Sequence, residues 1–248
     1  MLATIEHKGK SFKVNLAEPI DISIPLNAGI NNVNAFHLAP MKIEPFRMGS
    51  FVGSVREGGP CNVNNVFFNP HGNGTHTESV GHISKNDYPI NNCLKQFFFM
   101  AELISISPEQ VGNDFVITRQ QIQEKVGNKL PEALIIRSLP NDGSKMQKQY
   151  SGTNPAYFAH DAAKFISDIG VRHLLLDLPS VDKEEDGGKL SAHHEFWNYP
   201  KAPRESATIT ELIYVKDQVS DGSYLLNIQI ASFMNDASPS KPVLYKYF

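Results

Sequence analysis

Between Asn69 and His82 the chain reads Asn69-Pro70-His71-Gly72-Asn73-Gly74-Thr75-His76-Thr77-Glu78-Ser79-Val80-Gly81-His82, a segment dense in histidine with one carboxylate. In an extended segment residues two apart project to the same side, so His76 and Glu78 are expected to share a face. An imidazole and a carboxylate held together on a rigid strand suit a borderline divalent cation such as zinc. His82 stands further along, where it could serve as another ligand or as an acid/base beside the ion. A histidine-rich surface loop would have the same composition, so the His-x-Glu spacing does not decide the matter alone.

The chain that must position these groups has 248 residues, 41% hydrophobic and 20% charged, enough for a large core. No linker-like or single-charge block divides it, and one domain over 1–248 is expected. A net charge of −3 and a pI near 6.3 argue against a nucleic-acid or anionic-membrane partner. The two cysteines, Cys61 and Cys93, suit a reducing compartment and are expected to be small buried hydrophobes. The start Met1-Leu2-Ala3-Thr4-Ile5-Glu6 is mixed polar, and no apolar run reaches membrane-spanning length, so a cytoplasmic protein is expected.

Alternation over residues 2–16 around Lys8-Gly9 suits a hairpin. Asp21 to Leu26 reads as a short strand stopped by Pro25, residues 27–50 as irregular structure covering a pocket, and Ser50 to Val55 as a strand. Phe97 to Ile106 reads as a buried strand with all three phenylalanines in the core. Thr118 and Gln121 form a capping-box pattern for a helix ending at Gly127, and Ala133 to Ser138 is a buried strand. Asn154-Pro155 predicts the start of a helix that Gly170 ends, followed by a strand over Val171 to Leu178 parallel to the previous one. His160 and His173 are read as structural. Tyr224 to Ile230 and Val243 to Tyr245 read as closing strands that carry no chemistry.

Gly74-Thr75-His76-x-Glu78-x-x-x-His82 resembles the H-x-G-T-H-x-D-x-P-x-H signature of the cyclase family, which includes bacterial kynurenine formamidases and isatin hydrolases. In that signature the first two histidines and the Asp bind metal and the last His is the proposed acid/base. Here Glu78 replaces Asp, Val80 replaces Pro, and Gly72 stands in place of the first His, with His71 one residue early. Asp21 to Leu26 resembles the family's D-L-S-x-P-L opening, and Asp177-Leu178-Pro179-Ser180-Val181-Asp182 its D-x-x-S-x-D segment, which closes over the site. His193, followed by Phe196-Trp197, and Glu211-Leu212 match the remaining pattern, with His194 the alternative if the register shifts by one. The resemblance runs from about residue 20 to the C-terminus and is weakest over 27–60.

It implies an α/β protein with the swivelling β/β/α fold, a mixed sheet with outer helices, assembled as a homodimer or homotetramer. It implies hydrolysis of a small-molecule amide, as the family hydrolyses N-formylkynurenine and the ring amide of isatin. The implied ligands are His76, Glu78, His193 and Glu211, with His82 as acid/base and His71 and His194 as additional candidates. The ion expected is zinc, with manganese as the other choice. Because Gly72 has no donor and a strand would turn His71 to the opposite face, about one ion per chain is expected. Two other readings stay open: ring opening or elimination on a cyclic amide or lactone, and a metal- or ligand-binding homologue without catalysis.

Overall fold

The computed structural model describes residues 1–248. The alternating start forms an antiparallel hairpin, β1 (Leu2–His7) and β2 (Lys10–Asn15), with Lys8 and Gly9 at positive φ in its turn. β3 (Ile20–Asp21) is only a two-residue strand. The segment expected to be irregular contains β4 (Lys42–Pro45) and β5 (Arg47–Met48), which pair with β7 (Asn64–Phe67) and β6 (Phe51–Val52). The strand expected over 50–55 is thus reduced to β6, and Val55–Glu57 is a 3-10 turn.

The rest of the chain builds one large sheet with helices outside it. In order come α1 (Pro70–Asn73), β8 (His76–Glu78), α2 (Ile90–Cys93), β9 (Phe98–Ile106), β10 (Glu109–Val111), β11 (Asp114–Ile117) and α3 (Arg119–Val126). Then follow β12 (Ala133–Ser138), β13 (Tyr157–Phe158), α4 (His160–Asp168), β14 (His173–Leu176), α5 (Ser191–Trp197), β15 (Thr208–Glu211), β16 (Gly222–Ile230) and β17 (Ala237–Lys246). The sheet order is β16-β9-β12-β14-β15-β8-β17, and β16 pairs with β17 to close the ring, with β3 added beyond β17. β9, β12, β14 and β15 run parallel, and the other pairings in the ring are antiparallel. The mixed α/β architecture expected from the sequence is therefore present, and closure into a barrel-like ring is what the sequence did not signal.

Closure explains why the parallel strands are apolar on both faces. Along β12, Leu134 and Ile136 join Ile122 of α3, Ile166 of α4 and Phe196 and Trp197 of α5 in the outer core. Ala133 and Ile135 alternate to the inside, against Leu103, Leu175, Leu226 and Leu244. The capping box at Thr118 forms as expected, with the Gln121 side chain accepting from Thr118 N.

Three expectations need correction. The helix placed after Asn154 starts instead at His160. Asn154 takes φ +50° and donates through Nδ2 to Asn113 O and Asp114 Oδ1, and the next residues pair as β13 alongside β11, so a tertiary partner overrides the local capping signal. Of the three phenylalanines only Phe99 is core, because Phe97 and Phe98 are 38% and 55% exposed. Cys61 is exposed and Cys93 only half-buried, in contrast to the buried positions expected for them. No helix is long and apolar enough to cross a membrane.

Candidate metal centre

β8 lies between β15 and β17 and has ladder partners on both sides, so its three residues are wholly buried. The pleat sends His76 and Glu78 to one side and Thr77 to the other, where Thr77 Oγ1 lies 2.8 Å from Thr210 Oγ1. The β8–β15 register sets Glu211 opposite His76, which brings His76 Nε2 within 3.4 Å of Glu211 Oε2. His76 Nδ1 donates to Gly74 O at 3.0 Å, and since a carbonyl only accepts, the neutral ring keeps its Nε2 lone pair free. Gly74 packs closely against Leu26, whose Cδ2 would lie 2.6 Å from an added Cβ.

His71 also reaches the cluster, which overturns the expectation that it faces away. Residues 70–73 are a single helical turn rather than strand, with Asn69 capping it by accepting from His71 N at 3.0 Å and Pro70 in the first turn. That turn carries His71 Nδ1 to 3.1 Å from Glu78 Oε2 and its Nε2 to 2.9 Å from Asp236 Oδ2. Gly72, the position of the family's first histidine, packs too tightly for any side chain: its Cβ would lie 2.5 Å from Leu38 Cδ1 and 2.9 Å from Ala35 O. Beyond β8, Ser79 caps the 3-10 turn Val80–His82, accepting from Gly81 N at 3.2 Å. The turn folds His82 back so that Nδ1 stands 3.7 Å from Glu78 Oε2 and 3.5 Å from Asp236 Oδ2.

The C-terminal half supplies the other side. Leu190, the residue before α5, has no capping side chain, and Asp182 does that work from a distance. Its carboxylate accepts from Ala192 N at 2.8 Å, His193 N at 3.1 Å and His193 Nδ1 at 2.6 Å. His193 is thereby locked with Nε2 3.4 Å from Glu78 Oε1. His194 turns away, its Nδ1 3.0 Å from Tyr199 O, so of the two adjacent histidines His193 is the one in the cluster. Glu211 Oε1 accepts from Val181 N at 3.2 Å, so the 177–182 segment does contact the site, through Val181 and Asp182. Asp177 instead pairs with the buried Lys145 Nζ at 2.7 Å and takes no part.

Sequence reasoning missed two carboxylates, Asp182 as a partner of His193 and Asp236 as a partner of His71. Asp182 belongs to the segment expected to close over the site, but nothing local ties it to His193, and no local pattern marks Asp236.

The electrostatics follow from this crowding. Burial disfavours a charged His71, yet Asp236 and Glu78 outweigh it and push its pKa up to about 10. Burial likewise opposes charging His193, and Asp182 with Glu78 push it up to about 10. Glu78 is fully buried, but the imidazoles of His82, His193 and His71 hold its carboxyl well below the usual range. Glu211 moves the other way, raised by burial and by the charge of Glu78. The site demands positive charge beside Glu78, and without an ion it draws protons onto imidazoles to supply it.

A family model described as "Putative cyclase" matches residues 20–183, well over half of the chain. The chain belongs to the cyclase family. Among curated relatives, the kynurenine formamidase of Bacillus thuringiensis subsp. konkukian (strain 97-27) is 26% identical over 231 residues, covering 92% of this chain and 97% of the relative. That of Bacillus anthracis is 27% identical over 228 residues, covering 91% and 96%. Among solved structures, an isatin hydrolase bound to the product analogue thioisatinate superposes with a TM-score of 0.69 at 14% identity, covering 93% of each chain. A potential metal-dependent hydrolase with cyclase activity gives a TM-score of 0.67 at 15% identity, covering 92% of this chain and 97% of the other. The cyclase-family fold is thus common to this chain and to both structures.

Proposed function

We propose that the protein is a metal-dependent hydrolase of a small amide, arylformamidase-like, holding a divalent ion with His76, Glu78, His193 and Glu211, with His71 as an additional donor beside Glu78, and using His82 as acid/base. The observation that carries this reading is that His76 Nε2 and both carboxylate oxygens of Glu78 are buried without a hydrogen-bond partner. A buried carboxylate without hydrogen bonds is costly, and the imidazoles of His71, His82 and His193 face it without being bonded to it. Two ligand atoms about 2.1 Å from a tetrahedral ion stand about 3.4 Å apart, which fits the 3.4 Å separations of His76 from Glu211 and of His193 from Glu78. The four principal donors are two imidazoles and two carboxylates, which suits zinc and also admits manganese. When bound, such an ion supplies Lewis acidity at a carbonyl and lowers the pKa of water to about 7.

The chain's own groups do the rest. His76 and His193 each give their outer nitrogen to a fixed acceptor, Gly74 O and Asp182, and so enter as neutral rings of one tautomer. His82 is part-exposed and lines a cleft of about 460 Å³ with Tyr88, Met234 and Asp236. With Nδ1 turned to carboxylates, its Nε2 is the atom available to take a proton from the attacking water and return it to the leaving nitrogen. The names of the relatives, kynurenine formamidases, support a formamide as the bond cleaved.

Elemental analysis of the purified protein, with a hydrolysis screen of formanilides, cyclic imides and lactones, tests the reading. A bound transition metal and turnover of formanilides are expected. Turnover confined to cyclic imides or lactones would replace the substrate class, and a protein with neither metal nor turnover would end the hydrolase reading.

A further inference from the structure

Asp236 lies outside the donor set assigned above, yet its carboxylate meets two imidazoles at once. Oδ2 accepts from His71 Nε2 at 2.9 Å and stands 3.5 Å from His82 Nδ1. The two rings lie 4.5 Å apart and are inclined by 33°, so one oxygen serves both. His71 turns its other nitrogen to Glu78 Oε2 at 3.1 Å.

The backbone that carries this carboxylate is tied down on three sides. Asp236 O accepts from Ser79 N at 3.0 Å and from Ser79 Oγ at 3.2 Å. Asn235 O accepts from Ile90 N at 2.8 Å, and Asn235 Nδ2 donates to Ala237 O at 3.1 Å. The next residue, Ala237, opens β17 directly opposite Glu78. The ladder that fixes Glu78 therefore also fixes Asp236, although the two are far apart in sequence.

We propose that Asp236 is a positioning residue shared by His71 and His82. It takes the Nε2–H of His71, which turns Nδ1 toward the ion beside Glu78, and the Nδ1–H of His82, which leaves Nε2 to exchange protons in the cleft. The proposal rests on the metal-hydrolase reading above. A carboxylate on the far nitrogen selects one tautomer, stops the ring from turning over and raises the basicity of the other nitrogen. The contact lengths separate this role from that of a ligand. Oδ2 is already engaged by His71 at a charge-assisted hydrogen-bond distance. The buried atoms of the centre left without hydrogen-bond partners belong to His76 and Glu78.

The test is Asp236→Asn, nearly isosteric, read by chelator competition for zinc, by ion stoichiometry and by kcat on formanilide, with thermal melting to confirm folding. Loss of an outer-shell partner typically costs 10–100-fold in affinity or activity. We expect losses of about that size in both zinc affinity and kcat, with the stoichiometry unchanged. In a His71→Ala background the same substitution should cost no further affinity, and in a His82→Ala background no further kcat, because the partner it acts through is gone. Asp236→Ala, read the same way, covers failure of the Asn variant to fold. Unchanged affinity and kcat, or full additional losses in the two backgrounds, would overturn the proposal by making Asp236 merely structural. Loss of one equivalent of ion would overturn it by making Asp236 a ligand. A wild-type protein that binds no zinc would instead bring down the hydrolase reading itself, and this role with it.

Discussion

Glu78 is the residue on which the centre turns, because three imidazoles from three different segments converge on its two oxygens. His193 is buried and held by Asp182, whereas His82, though its Nδ1 also faces carboxylates, lines the cleft. That difference separates holding the ion from moving a proton. His82→Ala should lower kcat by about 10²–10⁴-fold, the usual contribution of a general acid–base group, with the ion content unchanged. Metal analysis beside steady-state kinetics reads this directly, and joint loss of ion and activity would make His82 a ligand instead. His194, held against Tyr199 O, has no comparable part.

Short elements do the positioning. The turn α1 is one helical turn long, yet it alone decides that His71 faces Glu78. Its packing leaves no room at Gly72, where a Cβ would press on Leu38 and on the Ala35 carbonyl. Restoring the family's histidine by Gly72→His should therefore overpack the turn and cost about 1–3 kcal/mol, without adding an ion. Denaturant unfolding of the metal-free protein measures the first, and ion stoichiometry the second. A stable variant that binds one more ion would show that α1 can yield. Helix α5 is likewise set by tertiary bonds: Asp182 caps its start, and Trp197 Nε1 donates to Ala207 O at 2.9 Å just beyond its end.

At the scale of the molecule, the ion would join α5, β8 and β15 across the closed sheet, so its binding is coupled to folding. Ligand at 100 times its Kd stabilises by about 2.7 kcal/mol, and for a chain of this size about 1 kcal/mol moves Tm by roughly 2–4 °C. Chelation should lower Tm by about 5–10 °C on those figures. The effect should depend on pH in a defined direction. In the metal-free protein His71 and His193 have pKa values raised to about 10, above the 6.5 of a free histidine. The folded form then binds more protons than the unfolded one between pH 6.5 and 10, so its stability falls as pH rises through that window. Ion binding must displace those protons, so affinity rises over the same window. The gap in Tm between metal-loaded and chelated protein should therefore widen from pH 6.5 toward 10, as melting curves in paired buffers would show. A narrowing gap would mean that these histidines are neutral before the ion arrives.

What depends on short-range order was legible along the chain. The pleat set His76 and Glu78 on one side, Thr118 and Gln121 formed their capping box, and the apolar run Ala133 to Ser138 made a doubly buried strand. The signature around His76, with His193 and Glu211 matched farther along, named residues that the fold does bring together. Only the tertiary structure decided the rest, because the deciding partners are remote in the chain. Asn154 gave up its helix to bond with Asn113 and Asp114, and Phe98 is left exposed. His71 enters the site through a helical turn where strand periodicity would have sent it out. Asp236 immediately precedes β17, whose pairing with β8 is what sets it beside His71 and His82. A carboxylate placed by strand pairing across more than a hundred residues leaves no periodic trace near the histidines it serves, so its role appears only when the ladder is formed.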